Sequence, residues 1–479
     1  MDQFFQSSDL GVIGAELELA LFGMIVLVFD LLVKNKRVLG YITLVGLAWS
    51  GYFLIKLYNV LDAPAYGGML RLDPFAWFFK ALFLVAAALA VAISIRYLDI
   101  EHENHGEYYA LILFATMGMM FMVGAMDLVT LYIGLETMAI ATYVLVGFLR
   151  SNPRSNEASL KYFLLGAFSS GILLYGFSLL YGIAGSTRFV IIGDALEQRS
   201  LSDPLSLMAL GAVCAGMFFK IAAVPFHQWT PDAYEGAPTS ITAYMSVAVK
   251  AASFAMIVKL FLIALAPLQP HWLIIMSAVS ALTMTVGNIA AITQSNVKRL
   301  LAYSSISHAG YILLGLIANN QTGLIAIPIY LLVYTFTNLG AWAIVVALRR
   351  KDVIGEHIDE MSGLYFRHPV AAILMLIFLL SLAGIPPTAG FIGKYFLFAA
   401  VIQSGHNVLA VIAVLNAAIS MYFYLRIVVA MFMQEATEKT GLDLAPGVLA
   451  VMAIALIFTL WIGLYPDPFI AMARHAVGF

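Results

Sequence analysis

Between Phe218 and Ala255 the chain reads FFKIAAVPFHQWTPDAYEGAPTSITAYMSVAVKAASFA, which sets Lys220 and Lys250 in strongly apolar surroundings with Pro225, His227 and a short polar loop between them. A charged side chain at membrane depth is costly, and lysines kept there are functional by default. Lysine suits proton transfer because a desolvated ammonium gives up its proton readily, whereas a guanidinium does not. Other ionisable residues in apolar runs are Glu136, Glu157, Lys161, His308, Lys394 and Arg426. An isolated buried carboxylate takes up a proton and an isolated buried ammonium loses one, so a carboxylate beside a lysine holds both charges. Glu136, the only acidic residue deep in LYIGLETMAI, is therefore expected to form a switchable pair with Lys220. Bridged by water and by His227 or His308, such groups would pass protons across hydrocarbon.

Several of these residues carry a second reading. Glu157 and Lys161, four apart on one helical face, form either a further buried pair or a surface ion pair close to a loop. His227, beside Gln228 and Trp229, is a relay member or a satisfied interfacial residue. His308, after Ser304, Ser305 and Ser307, is a relay member or a hydrogen-bonding link between helices. Arg426, near Tyr422 and Tyr424, is expected to be structural, and Lys56, Lys80 and Lys259, nearer the ends of runs, to snorkel or pair locally.

The elements that position them follow from composition. The 479 residues are 62% hydrophobic and 11% charged, and the mean hydropathy is +0.94; this excludes a soluble globular domain. Unclosed strands cannot satisfy their backbone in lipid, so the expected fold is all-α and polytopic. About 14 spans are expected, near 14–33, 39–58, 74–97, 107–124, 127–149, 157–184, 204–226, 239–264, 271–293, 299–318, 322–348, 370–402, 406–433 and 445–465. The first has acidic residues before it and in its opening turns (Asp2, Asp9, Glu16, Glu18) and precedes Lys34, Lys36 and Arg37, so it reads as a retained span and not a cleaved signal. Loops alternate in charge. Those on the side reached after the first span carry Lys34, Lys36, Arg37, Arg96, Arg150, Arg154, Lys298, Arg299, Arg349, Arg350, Lys351, Arg367 and Lys439; the other side has Arg71, Arg188, Arg199 and Arg474. That bias places both termini outside the cytoplasm.

Two spans are expected to be broken, the seventh at Pro225 and the twelfth at Leu382-Ala383-Gly384-Ile385-Pro386-Pro387-Thr388, just before Lys394. They stand five spans apart and so cross in opposite directions, which points to an inverted repeat of spans 4 to 8 and 9 to 13. The expected division is an N-terminal group 1–106, repeats 107–266 and 267–434, and a C-terminal helix within 435–479.

One cysteine, Cys214, excludes an internal disulfide and an all-cysteine cluster or zinc site within this chain. There is no H-E-x-x-H or G-x-G-x-x-G pattern, and GFIGK, ending at Lys394, lacks the first glycine of a phosphate loop and is followed by Tyr395 instead of Ser or Thr. No nucleotide, metal or redox cofactor is expected in the chain. A net charge of −2 argues against nucleic acid as a partner.

The stretches LYIGLETMAIATYVLVGF, FKIAAVPFHQWTPDAYEGAPTSITAYMSVAVKAA, NVKRLLAYSSISHAGYIL and SLAGIPPTAGFIGKYF resemble the antiporter-like family of membrane subunits of proton-pumping NADH:quinone oxidoreductase, respiratory complex I. The resemblance covers nearly the whole chain. It implies a proton path through Glu136, Lys220, Lys250 and Lys394, with Glu157, Lys161, His227 and His308 at further polar positions. It also implies a membrane-arm module of a bacterial inner membrane, assembled with other membrane-arm subunits including the M-type, with FMN, iron–sulfur clusters and quinone in partner subunits. Lys394 stands where the M-type is expected to have glutamate, and a chain ending at Phe479 has no room for the long extension of the L-type; the N-type branch is the expectation. Multisubunit sodium/proton antiporters and membrane-bound hydrogenases share the central motifs and supply the alternative. A structural spacer is a third reading, opposed by the cost of burying so many charges.

Overall fold

The computed structural model describes residues 7–61, 64–350, 355–436 and 441–478; Asp2, Lys351 and Lys439, named above, lie outside them. Long α-helices make up most of the chain, and their starts are written in the sequence. Asp73, Asp127, Asn152, Asp203, Asn296 and Asn320 each accept a backbone N–H at a helix start, which satisfies donors that the helix itself cannot. Proline at the first turn fixes the entry of six of the long helices, at Pro74, Pro153, Pro204, Pro270, Pro369 and Pro446.

In chain order the helices are α1 (Gly14–Leu32), α2 (Arg37–Lys56), α3 (Pro74–Glu101), α4 (Gly106–Gly124), α5 (Leu128–Val146), α6 (Pro153–Ala184), α7 (Pro204–Lys220) and α8 (Trp229–Gly236). Then follow α9 (Thr239–Ala264), α10 (Gln269–Ile292), α11 (Val297–Ala318), α12 (Gln321–Leu348) and α13 (Pro369–Ala383). The last four are α14 (Ala389–Gln403), α15 (Asn407–Met433), α16 (Pro446–Leu464) and the short α17 (Asp467–Ala476). Among the described residues eleven helices are long and apolar enough to cross a membrane, with α7, α13 and α14 as shorter apolar helices. Taking α1 and each broken pair (α7 with α8, α13 with α14) as one crossing gives the expected span count. A two-stranded hairpin, Pro64–Ala65 with Leu70–Arg71, is the only sheet among the described residues.

The bundle has an inside and an outside set by packing. Nearly every side chain of α9, α11 and α12 is buried, whereas Phe168 on α6, Ile274 on α10 and Val408 on α15 stand exposed where lipid would cover them. Helices apolar all round fit both environments. Small residues let neighbours close up: a Cβ on Gly118 of α4 would sit 2.7 Å from the carbonyl oxygen of Gly134 on α5, and one on Gly134 2.8 Å from that of Gly118. This fixes α5, and with it Glu136.

Two expectations change. Lys80 and Lys259 neither snorkel nor pair locally; they form buried ion pairs with Glu16 (2.5 Å) and Asp73 (2.6 Å), residues far away in sequence. Buried side chains cannot snorkel, and a carboxylate from another segment neutralises each. Lys56 does lie at the surface, over the Tyr52 ring at 4.5 Å. Arg426 is structural as expected: its guanidinium donates to the carbonyl oxygens of Ile292 and Gln294 at the end of α10. Cys214 is free and buried.

Candidate proton-relay site

Lys220 is the last residue of α7. Beyond it the chain unwinds through 221–228, with Ala222 left-handed at φ 58°, before α8 resumes. The break is held from inside: Ala223 N–H donates to Phe218 O at 2.8 Å, Val224 N–H to Thr283 Oγ1 on α10 at 2.9 Å, and Trp229 Nε1 to Phe219 O at 3.0 Å. Trp229 also stacks on Tyr162 at 4.5 Å and on Phe219 at 5.3 Å. Lys220 Nζ donates to Ser170 Oγ on α6 at 3.1 Å and lies 6.0 Å from the centre of the Tyr143 ring on α5. Glu136 stands seven residues before Tyr143 on the same face of α5, and its Oε1 is buried with no hydrogen-bond partner. Among the described residues Glu136 and Lys220 form no direct ion pair, so the expected pair is separated, with both groups flanking Tyr143. His227 lies half-buried in the break, its Nδ1 buried without a partner.

Lys250 sits directly after a wide π-turn, Met245–Val249, in α9. Its Nζ donates to both the carbonyl oxygen and Oγ of Ser305 on α11, and it lies 5.8 Å from the Tyr334 ring of α12. Three residues after Ser305, on the same face, comes His308. Its Nδ1 is 2.6 Å from Tyr330 Oη on α12 and its Nε2 is 3.1 Å from Tyr424 Oη on α15, which in turn reaches Ser304 Oγ at 2.5 Å. The imidazole packs beside Tyr334 at 5.0 Å and Tyr311 at 6.0 Å between ring centres. Lys394, five residues into α14, donates to Ala383 O at the end of α13 at 2.8 Å and lies 5.0 Å from the Tyr311 ring.

Thus Tyr334 is the common neighbour of Lys250 and His308, and Tyr311 that of His308 and Lys394. His308, Tyr330, Tyr334, Thr337, Ser381 and Lys394 line one narrow cavity. Links of this length are of the kind that water bridges. The arrangement can hold a proton on any of three buried amines and hand it through hydroxyls and an imidazole. Lys220 precedes its break and Lys394 follows its own; because the two spans run in opposite directions, both lysines lie toward the same face of the bundle.

Glu157 and Lys161 meet at 2.8 Å, but both are exposed, and Lys161 also holds Asp232 of α8 at 2.9 Å. This is the surface alternative. Asp232 continues to Arg299 at 2.8 Å, which takes Glu235 at 2.7 Å. Sequence reasoning missed Ser170, Ser305, Tyr311, Tyr330, Tyr334, Tyr424 and Asp232. Only Ser305 and Tyr424 left a trace, as neighbours of His308 and Arg426.

A helical bundle with buried lysines at two broken spans and one π-turn defines an antiporter-like membrane subunit. Residues 125–420 match the family model described as NADH:quinone oxidoreductase/Mrp antiporter, TM. Over 485 aligned residues the chain is 50% identical to NADH-quinone oxidoreductase subunit N 2 of Solibacter usitatus (strain Ellin6076), covering 99% of this chain and 98% of the relative. The chain belongs to this family, on its subunit N branch. A chain of respiratory complex I from Thermus thermophilus with bound aureothin superposes with a TM-score of 0.79 at 32% identity, covering 96% of this chain and 99% of that one. A chain of the Mrp complex from Dietzia sp. DQ12-45-1b shares the fold, with a TM-score of 0.84 at 22% identity over 97% of this chain and 96% of that one.

Proposed function

We propose that the chain is a proton-translocating membrane-arm subunit of NADH:quinone oxidoreductase, in which Glu136, Lys220, Lys250 and Lys394 carry the proton and His308 joins the last two. The observation behind this reading is the file Lys250, Ser305, Tyr334, His308, Tyr311, Lys394, buried throughout and continuous in ring and hydrogen-bond contacts. Glu157, Lys161 and His227 are secondary members. The chain holds no redox group of its own in this reading; FMN, iron–sulfur clusters and quinone belong to partner subunits, among them the antiporter-like M-type neighbour. Moving protons uphill needs energy, so the drive reaches these lysines from the partners by conformational or electrostatic coupling. The protein spans the bacterial inner membrane with both termini periplasmic, and its repeats occupy 107–266 and 267–434. The shared fold with an Mrp chain supports the second reading, a sodium/proton antiporter subunit; the full-length identity to subunit N relatives favours the first.

Lys220→Arg is the deciding substitution, because guanidinium keeps the positive charge and stays protonated at any working pH. In vesicles with verified amounts of assembled complex, NADH-driven acidification through this subunit should fall by about 100-fold or more, the order lost with a proton-transferring group. Near-normal pumping would leave Lys220 as a fixed charge only.

A further inference from the structure

Two ion pairs buried in the bundle lie outside the lysine and histidine file described above. Glu16 of α1 pairs with Lys80 of α3 at 2.5 Å, the two side chains 1% and 4% exposed. Asp73, the cap of α3, pairs with Lys259 of α9 at 2.6 Å. Asp73 is fully engaged, since its Oδ1 accepts Ala76 N–H at 2.7 Å while Oδ2 accepts from Lys259. Glu16 differs. Its Oε1 meets Lys80, but its Oε2 is buried and accepts nothing.

As a stability device this is poor. Desolvation cancels most of the attraction in a buried ion pair, apolar replacements are commonly neutral or better, and an unfilled carboxylate oxygen adds a further penalty. An ionisable pair kept inside a membrane bundle is a functional-site hypothesis by default. The position is also specific. Both pairs lie at the starts of α1 and α3 and near the end of α9, beside the hairpin of Pro64–Ala65 and Leu70–Arg71, on the face away from the Lys34–Arg37 turn. A Cβ on Gly124, the last residue of α4, would sit 3.8 Å from Lys80 Cε. α9 carries Lys250 as well as Lys259, nine residues on and so about 13 Å along the helix at 1.5 Å per residue. A π-turn adjoins each lysine, Met245–Val249 before the first and Leu260–Ala264 after the second, and such turns are frequent at functional sites.

We infer that Glu16 is a proton-exchange site of the same pump, placed on the face opposite the cationic loops. In the loaded state Glu16 is a neutral carboxylic acid with its proton on Oε2; in the released state it is a carboxylate paired with Lys80, the proton having passed to water. Loading leaves the positive charge of Lys80 unbalanced, and that charge drives the proton out again. The inference rests on the relay reading above.

The test uses the whole complex in sealed vesicles. Glu16→Gln and the doubly neutral E16Q/K80M are compared with wild type for protons moved per electron and for the carboxylic acid C=O band in infrared difference spectra between resting and NADH-driven membranes. The expected result is a lower proton-to-electron ratio and loss of a wild-type carboxyl band in both variants. A wild-type ratio in E16Q/K80M would reduce the pair to packing and overturn the inference. Lys220→Arg, measured alongside, separates the two ideas: loss of pumping there with full pumping in E16Q/K80M sinks only the Glu16 role, whereas full pumping in both sinks the relay too. If the doubly neutral chain does not assemble, Glu16→Asp decides. A shifted carboxyl band supports the role, and identical spectra overturn it.

Discussion

His308 shows how a single residue can be both cross-link and carrier. Each ring nitrogen faces a tyrosine hydroxyl, Tyr330 on one side and Tyr424 on the other, and a hydroxyl can donate or accept. The ring can therefore exchange tautomers without losing its partners. His308→Phe strands the Tyr330 hydroxyl, which is expected to lower the stability of the assembled complex by about 1–3 kcal/mol, the cost of an unmet buried polar group. His308→Gln restores hydrogen bonding without a titratable ring. If the histidine carries protons, Gln should recover most of the melting temperature yet pump as slowly as Phe; recovery of both would make His308 a cross-link only. The lysines and this histidine were legible in the sequence because a charge in an apolar run has no bland place to go. The tyrosines were not. With 23 in the chain, residue type singles out none, and each gains meaning only from a partner on another helix.

At the scale of elements, the breaks were legible where proline and glycine wrote them and invisible elsewhere. Gly384, at φ 88°, ends α13 in the left-handed region, as Gly-Ile-Pro-Pro suggests. Ala222 adopts φ 58° without such a residue, and the π-turns MSVAV and LFLIA contain neither proline nor glycine; tertiary packing alone imposes them. The distance between Glu136 and Lys220 was hidden in the same way, since no spacing says how far apart two helices hold their side chains. Gly384→Ala tests what the twelfth break does. A Cβ there costs roughly 1–2 kcal/mol for the left-handed backbone and would lie 2.7 Å from Lys394 Cδ, so the lysine that donates to Ala383 O must shift. Gly405→Ala is the control: φ is 82° but nothing lies within 4 Å of its Cβ. Both variants should melt lower by a similar amount. Only Gly384→Ala should slow proton pumping; equal pumping in the two would detach the break from the function of Lys394.

Across the whole molecule, ion pairs between helix ends agree with the alternation read from loop charges. Arg37 meets Asp99 at 2.5 Å, Arg96 meets Asp443 at 2.9 Å, Arg349 meets Glu101 at 2.5 Å and Arg299 meets Asp232 at 2.8 Å. Every one of these joins ends assigned to the same face. On the other face Tyr58, at the end of the second span, reaches His475 near the C-terminus at 3.1 Å, so the start of α1 and the C-terminal α17 share a side. Parity is thereby a property of the fold, while orientation rests on the cation bias, because positive loops are retained in the cytoplasm. Orientation can be read with single cysteines, since the native Cys214 is buried and will not react. Lys34 and Gln198 are exposed and fall on opposite faces. A membrane-impermeant thiol reagent should label Gln198→Cys in intact spheroplasts and Lys34→Cys only in inverted vesicles. The reverse pattern would turn the subunit over, place Glu16 and Lys80 toward the cytoplasm, and make that cluster a point of proton uptake instead of release.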